Sequence, residues 1–189
     1  MRLIAGLIAA ILVPQQGASP PGPSLWGNPV DGLRLAVELL SEGGSSGRLR
    51  VTVRSVGNRQ LLLPAAVVNN ARFLNWPVTV VVSTPRGERR FGRWPYAGAI
   101  AGHLDPVTVP MLPDSTYAFE IPVRGWYKEP GQAEELQDLI RQPGRLWIEW
   151  EVEPAKGPVP NCPLYGMPGT AEITCWQNKM VSNSLQLPR

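Results

Sequence analysis

Residues 32–39 have the sequence Gly-Leu-Arg-Leu-Ala-Val-Glu-Leu, and this alternating stretch decides the fold of the chain. In an extended strand its leucines and valine point to one side, while arginine, alanine and glutamate point to the other. A period of two predicts a strand with one face in a core. The pattern recurs in residues 48–54, where Leu49, Val51 and Val53 alternate with polar side chains.

Further strands follow along the chain. Residues 76–93 predict a hairpin that turns at residues 85–88, and valines on both faces of residues 76–84 predict a central strand. Pro110 interrupts a short strand and indicates a sheet edge. The remaining predicted strands begin at Gln60 or cover residues 107–112, 117–123, 146–152 and, more weakly, 179–187.

One segment departs from the alternating pattern. In residues 133–142, Leu136, Leu139 and Ile140 have helical spacing, and Pro143-Gly144 follows, so a short amphipathic helix is expected. The chain also has 21 prolines and 19 glycines, which suits many short strands joined by turns. Together these features predict an all-β fold, an immunoglobulin-like antiparallel β-sandwich with one short helix.

The N-terminal segment has the layout of a secretory signal peptide. Arg2 precedes an apolar run at residues 3–13, and small and polar residues follow it. The run is too short for a membrane span, which needs about 20 residues. We therefore predict a signal peptide at residues 1–18, a Pro/Gly/Ser-rich linker at residues 19–29 and one domain at residues 30–189. Secretion or a periplasmic location follows from this prediction.

The two cysteines agree with export. Cys162 and Cys175 lie in one Pro/Gly-rich segment, and in an oxidising compartment we expect them to form a disulfide. A zinc site would need more Cys or His ligands nearby, and a redox site would need Cys-x-x-Cys.

Several segments resemble secreted immunoglobulin-like domains of environmental bacteria. In such domains a strand commonly ends in Asn-Val-Gly before a Leu-rich strand, and here Ser55 replaces the asparagine before Val56-Gly57. The resemblance implies the fold more than a function, because these domains are mostly uncharacterised or act as accessory and adhesion modules. It rests on residues 29–35, 51–57, 61–63, 117–123, 143–146 and 181–184.

Catalytic and cofactor motifs are not recognisable in the sequence. His103 has Asp105 beside it but no serine elbow, and Glu149 and Glu151 share a strand face as surface charges commonly do. Asp31, Asp105 and Asp114 lack the spacing of a calcium loop and suit turns instead. We therefore expect a protein that is not an enzyme and has no cofactor or metal.

The net charge of +3 is too small to indicate or exclude a class of binding partner by itself. Removal of Arg2 leaves 17 basic against 15 acidic side chains, a net charge of +2. Nucleic-acid binding normally needs a concentrated basic face, so we expect no nucleic-acid partner.

Arginines and aromatic residues form the candidate binding site. Guanidinium groups and rings on one hairpin could hold an anionic polymer, and a tryptophan on an outward strand face could anchor a protein or stack on a sugar. Loop tryptophans at positions 26, 94, 126 and 176 offer the same possibilities or pack as lids over the ends of the fold. The candidate residues are Arg86, Arg89, Arg90, Arg93, Trp94, Tyr96 and Trp147.

These observations favour a non-enzymatic exported module that binds an extracellular macromolecule. We expect the partner to be a protein, and the alternative is a carbohydrate-binding module that uses exposed tryptophans and the arginine-rich hairpin. Fold analogy supports much of this hypothesis, and a fold does not determine a function.

Overall fold

The computed structural model describes residues 25–40, 47–69, 73–75, 77–92, 104–124, 126–128, 135–152 and 174–188. These residues form an all-β structure with one short helix, as the sequence predicted. The predicted signal peptide lies outside the described residues. The elements are β1 (Leu33–Leu40), β2 (Arg48–Ser55), β3 (Leu61–Asn69), β4 (Phe73–Asn75), β5 (Val78–Thr84), β6 (Gly87–Gly92), β7 (Leu104–Met111), β8 (Thr116–Pro122), β9 (Tyr127–Lys128), α1 (Leu136–Leu139), β10 (Gly144–Glu151), β11 (Thr174–Cys175), β12 (Lys179–Val181) and β13 (Leu185–Leu187).

The strands are arranged in three sheets. The first has the order β1–β2–β8, and the second has the order β12–β10–β5–β6–β9 with β13 also paired to β10. The third has the order β11–β3–β4, with β7 also paired to β3. The described strand pairs are antiparallel except β3 with β11, which run parallel. Within the described ranges β7 pairs with β3 alone, which agrees with the edge position that Pro110 indicated.

The buried core contains side chains from all three sheets, and the third sheet contributes Leu63 and Met111. Leu35, Val51 and Phe119 represent the inward faces of β1, β2 and β8, and Val80 and Ile148 represent those of β5 and β10. The ring of Phe119 on the first sheet lies 5.8 Å from that of Trp150 on the second, at an angle of 46°. Burial of the alternating apolar residues stabilises the packing of the sheets, at about 25 cal/mol for each Å² of apolar surface removed from water.

The β5–β6 hairpin confirms two expectations. β5 lies between β10 and β6, so it is a central strand, and Val81 on its outward face is as fully buried as Val80 on its inward face. The connection is shorter than predicted, because Thr84 already pairs with Gly87 and only residues 85–86 turn. Gly87 makes this possible with a φ of 115°, a conformation that strongly favours glycine.

The helix is shorter than the predicted residues 133–142. It covers four residues, because Glu135 before it has extended backbone angles (φ −89°, ψ 146°). Leu136 and Leu139 are nevertheless buried, and Ile140 packs against the core, so the predicted apolar spacing is correct. Among the described residues, no helix has the length and apolar character needed to cross a bilayer.

The predicted last strand at residues 179–187 is divided into β12 and β13. Side chains at the break replace ladder hydrogen bonds. The Ser182 hydroxyl accepts a hydrogen bond from the backbone N–H of Ile148 at 2.9 Å. The Asn183 side chain accepts one from the N–H of Val37 at 2.8 Å and donates one to its carbonyl at 3.3 Å. Asn183 therefore links the end of the second sheet to the edge of β1.

Part of the predicted linker is bound to the domain. Residues 25–29 are described, and the N–H of Gly27 donates to the carbonyl of Leu35 at 2.9 Å. A Cβ atom at position 27 would lie 1.9 Å from the carbonyl oxygen of Val181, so only glycine fits between β1 and β12 there. The hydrogen-bonded part of the structure thus begins before the predicted boundary at residue 30.

Candidate functional site

The structure describes four of the seven predicted binding residues. Arg86 is exposed in the hairpin turn, and Arg89 and Arg90 are half-buried on β6. Trp147 is half-buried on β10. Arg93, Trp94 and Tyr96 lie outside the described residues, as does His103.

Strand alternation separates the arginines of the hairpin. Arg89 pairs with Val82 and therefore lies on the same side of β6 as the core residue Phe91. Arg90 pairs with Val81, which in turn pairs with Trp147, so these three side chains form one row across the outward face. Arg90 and Trp147 thus share a surface, whereas Arg89 and Arg90 do not.

We call this outward surface of the second sheet the Trp147 face. Its apolar centre is the pair of Trp147 and the fully buried Val81. Val181, which is 40% exposed, lies one diagonal step from Trp147 because it pairs with Glu149. The face comprises Thr79, Val81, Ser83, Glu88, Arg90, Arg145, Trp147, Glu149, Glu151, Lys179 and Val181.

A cluster of ion pairs borders the apolar centre. The side chain of Glu149 is only 12% exposed, and it accepts hydrogen bonds from Arg90 and, at 2.8 Å, from Lys179. Arg90 also binds Glu88 at 2.9 Å, and Lys179 lies 3.7 Å from Glu151. These contacts hold the charged side chains in place around Trp147.

The ion pairs change the acidity of Glu149. Burial alone would raise the pKa of this carboxyl, but the hydrogen bonds and charges of Lys179 and Arg90 outweigh burial and lower it. The hydrogen bond to Glu149 likewise raises the pKa of Lys179. Glu149 is therefore held as a carboxylate between two cations, which is the opposite of the raised pKa that a general acid needs. Glu151 shares Lys179 with it, so the two glutamates belong to one ion-pair cluster.

Two predicted loop tryptophans are buried in the core. Trp126 is 7% exposed and its Nε1 donates to the carbonyl of Pro122 at 2.9 Å. Trp176 is 2% exposed and its Nε1 donates to the carbonyl of Val30 at 3.2 Å. Of the roles left open for these two rings, the structure agrees with packing, because each has an apolar body that packs inside and a polar tip that reaches a backbone carbonyl. Trp26 is half-buried, and Trp150 fills the core as predicted.

The aspartates singled out for calcium serve turns where they are described. Asp31 and Asp114 have positive φ angles of 45° and 60°, which aspartate tolerates in tight turns. The carboxylate of Asp31 accepts a hydrogen bond from the Asn178 side chain at 2.7 Å. Asp105 lies on β7, but its side chain is outside the described part. In the described ranges, no group of three or more potential metal ligands comes together.

The sequence did not reveal a cleft of about 450 Å³ at one end of the first sheet. It is lined by Gly32, Gly57, Arg59, Leu61 and Trp176, with four further residues. Cys175, buried beside Trp176, also lines it, while its expected partner Cys162 lies outside the described residues. The disulfide therefore stays a prediction. In the sequence, this cleft is indicated only by Gly32 and Gly57, whose backbones lie close together and let their two loops approach each other.

Comparisons with protein families, with curated proteins and with solved structures found no match for this chain.

Proposed function

We propose that this chain is an exported, non-enzymatic module that binds an extracellular protein through the Trp147 face. The proposed fold is an immunoglobulin-like β-sandwich, formed by the first and second sheets around their shared core. The predicted signal peptide and the predicted Cys162–Cys175 disulfide belong to the same proposal. Mass spectrometry of the secreted protein would test both, through the mass of the removed leader and the loss of two hydrogens on oxidation.

The proposed binding site rests on one observation. A half-buried tryptophan lies beside a buried valine, and the neighbouring side chains of Arg90, Glu149 and Lys179 are already paired with one another. Protein interfaces commonly have an aromatic anchor at the centre and a polar rim. Here Arg90, Glu149 and Lys179 form the rim, and their mutual ion pairs keep them ordered before a partner arrives. Preordered side chains lose less conformational entropy on binding.

The carbohydrate alternative has less support in the described part of the chain. Stacking sites usually align several exposed rings, but Trp126 and Trp176 are buried. Arg89 and Arg90 point to opposite faces, so the hairpin does not present them as one basic surface. Trp147 is the described ring that remains on an open strand face.

The test is to capture binding partners from the secreted proteins of the source organism with the mature wild-type protein. The partner is identified by mass spectrometry, and its affinity is then measured by calorimetry. We expect Trp147→Ala to weaken binding at least tenfold, about 1.4 kcal/mol or more, as for an interface anchor. The control is Leu112→Ala, which removes an apolar side chain that is 50% exposed outside this face.

Equal affinity of both variants for the partner would place the interface elsewhere and overturn the proposed site. A parallel titration follows tryptophan fluorescence with neutral and acidic polysaccharides. A saturable change in the wild type, together with a loss of polysaccharide binding by Trp147→Ala in calorimetry, would support the carbohydrate alternative over a protein partner. Circular dichroism of each variant checks that the fold is intact.

A further inference from the structure

The outward face of the first sheet carries a second cluster of arginines, which we call the Arg54 face. Its side chains form rows across β1, β2 and β8, because directly paired residues point to the same side. Three successive rows are Glu38–Arg50–Glu120, Ala36–Thr52–Ala118 and Arg34–Arg54–Thr116.

The first of these rows is electrically balanced. Arg50 lies between two carboxylates, at 3.1 Å from Glu120 and 3.5 Å from Glu38. Arg48, on the same strand, also binds Glu120 at 3.1 Å. The hydrogen bonds from Arg50 and Arg48 lower the pKa of Glu120.

The third row is not balanced. Arg34 and Arg54 are directly paired, which places their Cβ atoms about 4.5–5.5 Å apart and makes two like charges neighbours. Within the described part of the chain, no carboxylate lies within ion-pair distance of either guanidinium. Thr116, the third member of the row, is exposed and has a hydroxyl that can donate a hydrogen bond.

Both arginines lie partly along the sheet. The Nε atoms of Arg34 and Arg54 are buried and have no hydrogen-bond acceptor among the described residues. In the row between, Ala36 and Thr52 are 2% and 6% exposed although they point outward. The arginine stems of the adjacent rows are within reach of them, and such stems commonly cover apolar surface. The direct pairing of Arg34 with Arg54 places the two stems side by side on this face.

We propose that Arg34 and Arg54 form an anion site that takes a tetrahedral dianion, a phosphate or sulfate group. Two guanidinium forks can each bind such a group through paired N–H donors, and its double negative charge would offset their mutual repulsion. Thr116 would add a hydroxyl donor at the edge. This site is distinct from the Trp147 face, because it lies on the outward side of the other sheet.

The test titrates the mature protein with inorganic phosphate, inorganic sulfate and glucose 6-phosphate at constant ionic strength, with sodium chloride as the reference. Amide chemical shifts in NMR spectra locate binding, and calorimetry measures affinity. We expect saturable shifts centred on residues 34, 54 and 116. Arg54→Gln should weaken binding at least tenfold, whereas Arg141→Gln, which removes an exposed arginine elsewhere, should leave it unchanged.

Comparison of the three ligands identifies whether the anion is a free ion or an ester. Tighter binding of inorganic phosphate or sulfate identifies a free ion as ligand, and equal or tighter binding of glucose 6-phosphate identifies an ester. Arg54→Lys keeps the positive charge but loses the paired N–H donors of the guanidinium group. It should bind with an affinity between those of the wild type and Arg54→Gln. Shifts no larger than those caused by chloride, or equal losses in Arg54→Gln and Arg141→Gln, would overturn the proposal.

Discussion

The Trp147 face and the Arg54 face contain the same kinds of charged side chains but pair them differently. On the Trp147 face, two cations converge on the buried carboxylate of Glu149. On the Arg54 face, Arg50 lies between carboxylates, whereas Arg54, four residues further along the same strand, faces another arginine. The difference shows that the residue across the strand, rather than the residue itself, decides whether a surface charge stabilises the sheet.

Among the changes to these two faces, removal of Glu149 should lower the free energy of unfolding the most. Glu149→Ala leaves Arg90 and Lys179 without their shared acceptor in a mostly buried position, and we expect the free energy of unfolding to fall by about 2 kcal/mol. Glu151→Ala is the matched control, because the Glu151 side chain is 56% exposed and should cost about 0.5 kcal/mol or less. Urea denaturation of both variants measures the difference. Equal losses would mean that the burial of Glu149 adds nothing to its ion pairs.

Acid should weaken both faces through their lowered carboxyl pKa values. Glu149 and Glu120 have folded-state pKa values below their ordinary value of 4.5. The unfolded chain therefore binds protons first, so the stabilisation is complete above pH 4.5 and is lost as pH falls through the folded-state values. The free energy of unfolding, measured by urea titration between pH 6 and pH 3, should decrease on acidification.

The double variant Glu120→Gln/Glu149→Gln provides the control for this pH dependence. It is less stable at pH 6, but its stability should change less between pH 6 and pH 3. A variant with the same acid dependence as the wild type would show that other carboxyls cause the loss.

The smallest expected changes in the free energy of unfolding have opposite signs in two rows of the Arg54 face. Glu120→Gln removes the partner of Arg48 and Arg50 and should lower stability by about 0.5 kcal/mol. Arg54→Gln removes repulsion with Arg34 and should raise stability by a similar amount at low salt, in the absence of phosphate and sulfate. Both changes should shrink in 0.5 M sodium chloride because salt screens exposed charges. If Arg54→Gln lowers stability at every salt concentration, the packing of the Arg54 stem stabilises the protein more than its repulsion with Arg34 destabilises it.

Much of the strand layout could be predicted from local patterns. Alternation located β1, β2, β5 and β10 to within about two residues and identified their inward faces, because each side chain of a strand simply takes one of two sides. Helical spacing likewise predicted the burial of Leu136 and Leu139. The start of α1 at Leu136 was not predictable in the same way, because the spacing of apolar residues does not mark the residue at which a helix begins.

The candidate site was less predictable than the strands. The sequence selected Arg90 and Trp147 but grouped Arg90 with Arg89, although neighbours along a strand point to opposite sides. It missed Val81, Lys179 and Val181, which come from distant segments and reach Trp147 or Glu149 only through the pairing of β10 with β5 and β12. It also left open whether Trp126 and Trp176 are exposed or packed, since a loop position alone does not show whether a ring folds back onto the core.

Local alternation, composition and turn residues were sufficient for the all-β class and for the side of each strand that enters the core, because both depend on residues close together in the chain. Strand order and register depend on contacts between residues up to about 150 positions apart, such as Val37 with Asn183. Those contacts determine that Arg90 lies in one row with Trp147 and that Arg34 is paired with Arg54. The surfaces proposed to bind a protein and an anion are therefore products of the tertiary structure.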